Sequence, residues 1–194
     1  MKETRETVIT LESWSRAERL LLRFLGTVAF MFLAMLSAQV RIPLPFTPVP
    51  MTLQTFVAPL AGGFLGAACG SISMLMYLAF GLLGAPVFAQ AAGGWQFFYS
   101  PTAGFLAGMV LAAWVMGRAR NAARSNLQLL AALIGSHLLI FACGILGFMM
   151  NTGAGWNDAF AKAVAPFLFG DAIKITASYL VLISYYRFRK AARS

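Results

Sequence analysis

Acidic residues are scarce in this chain: Asp and Glu together number 6, against 15 Lys and Arg, in 194 residues. Histidine occurs once, as His137, and cysteine twice, as Cys69 and Cys143. With a single histidine, neither a zinc site nor a catalytic triad is expected. The phosphate-cradling pattern GxxxxGK[ST] is missing, so the chain carries no ATPase motif of its own. Both cysteines lie in apolar runs and read as small packing residues, not as a disulfide framework. His137 also lies in an apolar run, where a hydrogen bond to a neighbouring helix is the expected use. The first 19 residues are polar, and the run after them is too long and lacks an A-x-A site. A cleavable signal peptide is therefore not expected.

What the chain has in abundance is apolar surface. It is 60% hydrophobic and 11% charged, with a mean hydropathy of +0.76. A water-soluble fold of this length cannot bury so much, so lipid is the expected solvent. The net charge of +9 sits beside the apolar runs, which is a topology signal and excludes the nucleic-acid reading. Six spans are expected: Leu20–Val40, Met51–Ala68, Ile72–Leu83, Pro101–Gly117, Leu127–Met150 and Pro166–Tyr186. A tight turn over Ala67–Ser71 and a basic loop at Arg118, Arg120 and Arg124 join neighbours. The fold class is thus an all-α integral membrane protein with six transmembrane helices. Residues 1–19 form an N-terminal segment with a short interfacial helix near Trp14, 20–186 the membrane domain and 187–194 a basic tail. Twelve Lys and Arg fall on the side of the termini and only Arg41 and Lys162 on the other, with Lys174 inside the membrane. That bias predicts both termini to be cytoplasmic.

The last span holds the sharpest signal. Its 21 residues make about 31 Å of helix, enough to cross a bilayer, and inside it stand Asp171 and Lys174. Three residues apart, they share a helical face. Each costs roughly 2.5–3.5 kcal/mol at mid-bilayer, so the pair must face protein or water. It is either an ion pair that steadies a helix contact or an acceptor and a cation offered to a ligand. Both lie within ~7–12 Å of the outer end of the span. The proline-rich segment RIPLPFTPVP (41–50) and the uncharged loop GAPVFAQAAGGWQFFYS (84–100) fall on that same side. Four prolines forbid regular helix, and irregular backbone at membrane depth is tolerated only over protein or a cavity. Three stretches thus converge on an outward pocket suited to a small, partly apolar ligand. Its candidate lining residues are Asp171, Lys174, Thr52, Gln54, Phe88, Gln90, Trp95 and Tyr99. Thr52 and Gln54 serve equally well for helix–helix hydrogen bonds. Trp95, Phe97, Phe98 and Tyr99 form either a lid or an interfacial aromatic belt.

RIPLPFTPVPMTLQTFVAPLAGGFLG, MYLAFGLLGAPVFA, YSPTAGFLAG and PFLFGDAIK, in this order, resemble the BioY family. BioY is the biotin-specific substrate-capture (S) component of energy-coupling factor transporters. The likeness covers roughly residues 34–117 and 163–178. It implies a six-helix protein of the bacterial plasma membrane that binds biotin from outside, with no cofactor. It also implies partners: a transmembrane coupling protein and two cytoplasmic ATPases that energise release. The family's G-D-x-I-K element falls on Gly170, Asp171 and Lys174, and assigns the Asp and Lys to the biotin site. Asp171 can accept a ureido N–H, while Lys174 can meet the ureido oxygen or the carboxylate. Loop 84–100 departs from some relatives in offering Gln90, Gln96 and Tyr99 in place of an asparagine or arginine. An A-x-x-x-A element at Ala34 and Ala38 resembles the one that docks the coupling protein. Gly62/Gly66, Ala103/Ala107 and Gly104/Gly108 share its spacing and are expected to pack within the bundle.

Two other functions stay open at this point. One is capture of a different small vitamin. The other is an intramembrane enzyme using Asp171, Lys174 and His137, against which stands the shortage of a second carboxylate or a paired nucleophile.

Overall fold

The computed structural model describes residues 15–122 and 125–191. Six helices form the bundle: α1 (Arg16–Gln39), α2 (Gln54–Leu65), α3 (Ala67–Leu82), α4 (Ala103–Ala122), α5 (Asn126–Thr152) and, numbered in chain order, α7 (Leu168–Ala191). A short helix, α6 (Trp156–Ala163), precedes the last. The chain is an all-α integral membrane protein. α1, α5 and the stretch Trp156–Ala191 are each long and apolar enough to cross a bilayer. Leu20, Phe24, Phe32, Leu36, Leu146 and Phe169 are exposed on the outside of the bundle, where lipid and not water would meet them.

Local chemistry sets the boundaries. α1 begins earlier than expected because Ser15 and Glu18 form a capping box: Ser15 Oγ accepts from the Glu18 N–H at 3.2 Å and Glu18 accepts from the Ser15 N–H at 2.7 Å. Residues 16–19 therefore belong to α1, and the interfacial helix near Trp14 lies outside the described residues. α2 is shorter than its expected span and ends at Gly66, whose φ of +87° turns the chain within one residue. α3 consequently starts at Ala67 and absorbs the expected five-residue turn. α4 continues through Arg118 and Arg120, so those two are helical; Arg124 lies outside the described residues. The polar loop after α5 contains α6, and the expected basic tail is helical to Ala191.

Small residues let the backbones approach. A Cβ on Gly62 would strike the Ala113 carbonyl of α4, and one on Gly104 the Cys143 carbonyl of α5. Gly62, Gly104 and Gly108 thus pack as expected, whereas Gly66 serves the turn. Ala34 and Ala38 are both fully buried among the chain's own helices. There the small side chains of α1 let α2 and α3 approach.

Two different ends result. Tyr186 donates to the Gly63 carbonyl at 3.0 Å and Arg120 to the Phe64 carbonyl at 2.7 Å. Gly26 of α1 abuts Leu65 at the same level. The start of α1 and the end of α7 therefore share the basic end. At the opposite end Arg41–Ile42 (β1) and Met51–Thr52 (β2) pair antiparallel, closing the proline segment into a hairpin. Thr47 of that hairpin donates to the Lys162 carbonyl of α6 at 2.7 Å.

Gly62→Val should lower the melting temperature of the detergent-purified protein by several degrees, since overpacking against backbone costs about 1–3 kcal/mol. Gly135→Ala, where an added Cβ meets open space, should leave it unchanged or slightly raised.

Candidate functional site

Under the hairpin and the 84–100 loop lies an open-mouthed pocket enclosing about 590 Å³ between its lining atoms, mouth included. Its walls come from the hairpin (Val49, Pro50, Thr52), the start of α2 (Gln54, Thr55) and the loop (Phe88, Ala89, Phe97). α4 adds Phe105, Leu106 and Met109, α5 adds Phe141, and Phe167, Asp171 and Lys174 close it.

The polar floor is built at the junction of α2 and α7. Asp171 falls in the first turn of α7, where the helix dipole favours a carboxylate, because Pro166 sits in a 3-10 turn that delays the helix to Leu168. Gly170 beside it allows the sulfur of Met51 in β2 to come close. Asp171 is 4% exposed, and its Oδ1 lies 3.8 Å from Lys174 Nζ. Thr55 connects them: its hydroxyl accepts from Lys174 Nζ at 2.9 Å and donates to Asp171 Oδ1 at 3.4 Å. At this separation and an effective dielectric of ~20, the two charges attract by about 4 kcal/mol, which offsets part of their desolvation. Asp171 and Lys174 both line the pocket.

The wall opposite is aromatic. Phe88 is fully buried, stands edge-on to Tyr77 at 5.5 Å and lies 4.3 Å from Phe97. Its ring occupies the space over Gly81, where any Cβ would collide with it. Gln39 fixes the loop from α1 by donating to the Phe88 carbonyl at 3.1 Å, and Asn151 fixes it from α5 by donating to the Ser100 carbonyl at 2.8 Å. Gln54 donates to the Tyr77 hydroxyl and accepts from Thr52 at 3.1 Å. Gln54 and Thr52 thus line the pocket and bond between elements at once, so the two expected uses coincide.

Of the eight expected lining residues, the structure brings together Asp171, Lys174, Thr52, Gln54 and Phe88. Trp95, Tyr99 and Gln90 stand apart. Residues 95–99 form a 3-10 turn, in which successive side chains diverge by about 120°, and Phe97 alone of that turn lines the pocket. Trp95 and Tyr99 are 68% and 70% exposed and stack edge-to-face with each other, as an interfacial belt would. Gln90 adopts φ +67° at a turn and points away.

Thr55 is the polar contact that sequence reasoning missed. Its signal was present: it follows Gln54 directly at the start of α2, one helical step further round. Phe105, Leu106, Met109 and Phe141 carried none, being indistinguishable from other core positions. His137 also departs from expectation. Its Nδ1 meets the Leu133 carbonyl of its own helix at 2.9 Å, and its Nε2 faces Asp171 Oδ2 at 4.0 Å.

Replacing Phe88 with Ala should open the pocket wall and weaken any ligand that fills it by tenfold or more, roughly the 1.5–3 kcal/mol of a buried aromatic contact. Trp95→Ala should leave that affinity unchanged; equal losses in the two variants, read by titration, would contradict the placement of the 95–99 turn.

The sequence model of the BioY family matches residues 11–191. A protein of Rhizobium etli named biotin transporter BioY is 38% identical over 149 residues, covering 72% of this chain and 79% of its own. One of the same name from Rhodobacter capsulatus is 36% identical over 163 residues, covering 78% and 85%. Among solved structures, the biotin S-component of an ECF-type ABC transporter superposes with a TM-score of 0.80 over 92% of this chain and 95% of that one, at 21% identity. That likeness concerns the fold. With nearly the whole described chain matched and relatives above one-third identity, this protein belongs to the BioY family.

Proposed function

We propose that this protein is the high-affinity biotin-binding membrane subunit of an energy-coupling factor transporter, capturing the vitamin from the outer side of the bacterial plasma membrane. The observation that carries the reading is the Asp171–Thr55–Lys174 group, an acceptor and a cation 3.8 Å apart at the floor of an apolar pocket. Biotin's ureido ring presents a carbonyl oxygen directly beside an N–H. One edge of that ring can take a hydrogen bond from Lys174 and give one to Asp171 together. Its thioether ring is apolar and suits the Phe88–Phe97 wall. The relatives named biotin transporter BioY support this ligand.

Orientation follows from charge. The basic end, with Arg16, Arg19, Arg23, Arg118, Arg120, Arg187 and Arg189, faces the cytoplasm, so both termini are cytoplasmic and the pocket opens outward. Lacking a phosphate loop, the chain depends on a transmembrane coupling protein and two ATPase subunits for energy. The ligand is returned unchanged, and the protein is a transport component, not an enzyme.

Calorimetric titration of the detergent-purified protein with biotin tests the reading. One-to-one binding is expected, weakened about tenfold to a hundredfold by Asp171→Asn or Lys174→Ala, the loss of a charge-assisted hydrogen bond. Absence of heat with folded parent protein would overturn the biotin assignment. Competition by other vitamins of similar polarity then identifies the ligand class.

A further inference from the structure

The basic end of the bundle holds a groove that the outward pocket does not use. Arg120 of α4, Leu129 of α5 and Ile183, Tyr186, Arg187 and Lys190 of α7 are among its lining residues. Two of its walls are pinned to successive carbonyls at the end of α2. Arg120 Nη1 donates to Phe64 O at 2.7 Å, and Tyr186 Oη donates to Gly63 O at 3.0 Å. The Arg120 guanidinium carries further N–H donors beyond that bond. Arg187 and Lys190 are exposed and stand three residues apart, so they share a face of α7. Among the described residues, no carboxylate lies within ion-pair distance of any of these three cations. The neighbouring Arg118 and Arg189 are used differently: each lies over a ring, Trp114 at 5.1 Å and Tyr185 at 5.6 Å.

Cations flank membrane spans in general, but that tendency does not gather them from two helices onto one groove with apolar walls. Along α7, residues 180, 183, 187 and 190 follow one another on a single face. Leu180, 56% exposed, and the half-buried Ile183 come first, and the two cations follow toward the end of the helix. Hydrocarbon deeper and positive charge at the rim is the order in which a phospholipid presents its chains and its phosphate. We propose that this groove is a binding site for the headgroup of an anionic phospholipid. Arg120, Arg187 and Lys190 give charge-assisted hydrogen bonds to the phosphate oxygens, while Leu129, Ile183 and Leu180 meet the glycerol and the upper acyl chains. The anion relieves the mutual repulsion of three cations that no carboxylate offsets among the described residues. A free phosphate ion shares the charge chemistry but gains nothing from the apolar walls. The groove lies at the opposite end of the bundle from the outward pocket, and its assignment does not rest on the biotin reading.

Native mass spectrometry of the detergent-purified full chain tests the site, with phosphatidylglycerol and phosphatidylcholine of the same acyl chains as probes. The wild type should retain one phosphatidylglycerol about tenfold or more tightly than phosphatidylcholine. Arg187→Gln combined with Lys190→Gln should weaken that binding about tenfold to thirtyfold, at roughly fivefold per basic side chain. Arg118→Gln combined with Arg189→Gln removes the same charge from the same end and should leave it nearly unchanged. Both groove residues are exposed, so their double variant should melt with the parent in lipid-free detergent. Should it melt early, Arg187→Gln alone, with its roughly fivefold loss, carries the test. Equal losses in the two double variants would overturn the proposal, since a diffuse positive surface needs no groove. So would a wild type that holds both lipids alike. Inorganic phosphate at the lipid's concentration should not displace phosphatidylglycerol; displacement would make the free ion the ligand and defeat the lipid assignment.

Discussion

The structure depends on one constraint: two opposite charges must be accommodated below the surface of a bilayer. Asp171 and Lys174 are 3.8 Å apart on α7 and share the hydroxyl of Thr55 on α2. A direct pair would satisfy both charges and close the site. Here Thr55 bridges the carboxyl and the ammonium, and both residues line the cavity. A polar ligand edge that supplies an acceptor and a donor side by side would complete the set, which is why burial and binding are the same problem in this protein.

Everything at the outer end supports that arrangement. The β1–β2 hairpin roofs the start of α2, with Thr47 tying it to α6. Gln39 and Asn151, from helices on different sides of the bundle, hold the 84–100 loop by its carbonyls, so the Phe88 ring is placed by backbone anchors and not by its own loop alone. Below, glycines such as Gly62 and Gly104 bring helices into backbone contact, the usual way to pack where lipid supplies no hydrophobic drive. The close-packed lower bundle and the anchored outer loops together give the pocket its floor and aromatic wall.

The six-helix architecture was legible in the sequence because apolar runs and flanking cations record membrane crossings directly. Helix ends were less so. The one-residue turn at Gly66 and the early start at Ser15 arise from a positive φ and a capping box, local details that a hydropathy pattern blurs. The charged floor of the site was legible for the same reason that it is rare: an intramembrane Asp and Lys have few structural uses. The aromatic run 95–99 was not, since composition cannot say which of five neighbouring side chains a 3-10 turn sends inward. Ala34 and Ala38 show the converse limit. Their spacing promises a close helix contact without naming the helices, which in the bundle are the chain's own α2 and α3.

A structure determined with biotin at saturating concentration tests the central claim most directly. The account predicts the bicyclic ring between Phe88 and the α7 floor, with the ureido edge within hydrogen-bond distance of both Asp171 and Lys174. Biotin bound elsewhere on the protein, or a ureido ring turned away from Asp171 and Lys174, would contradict it.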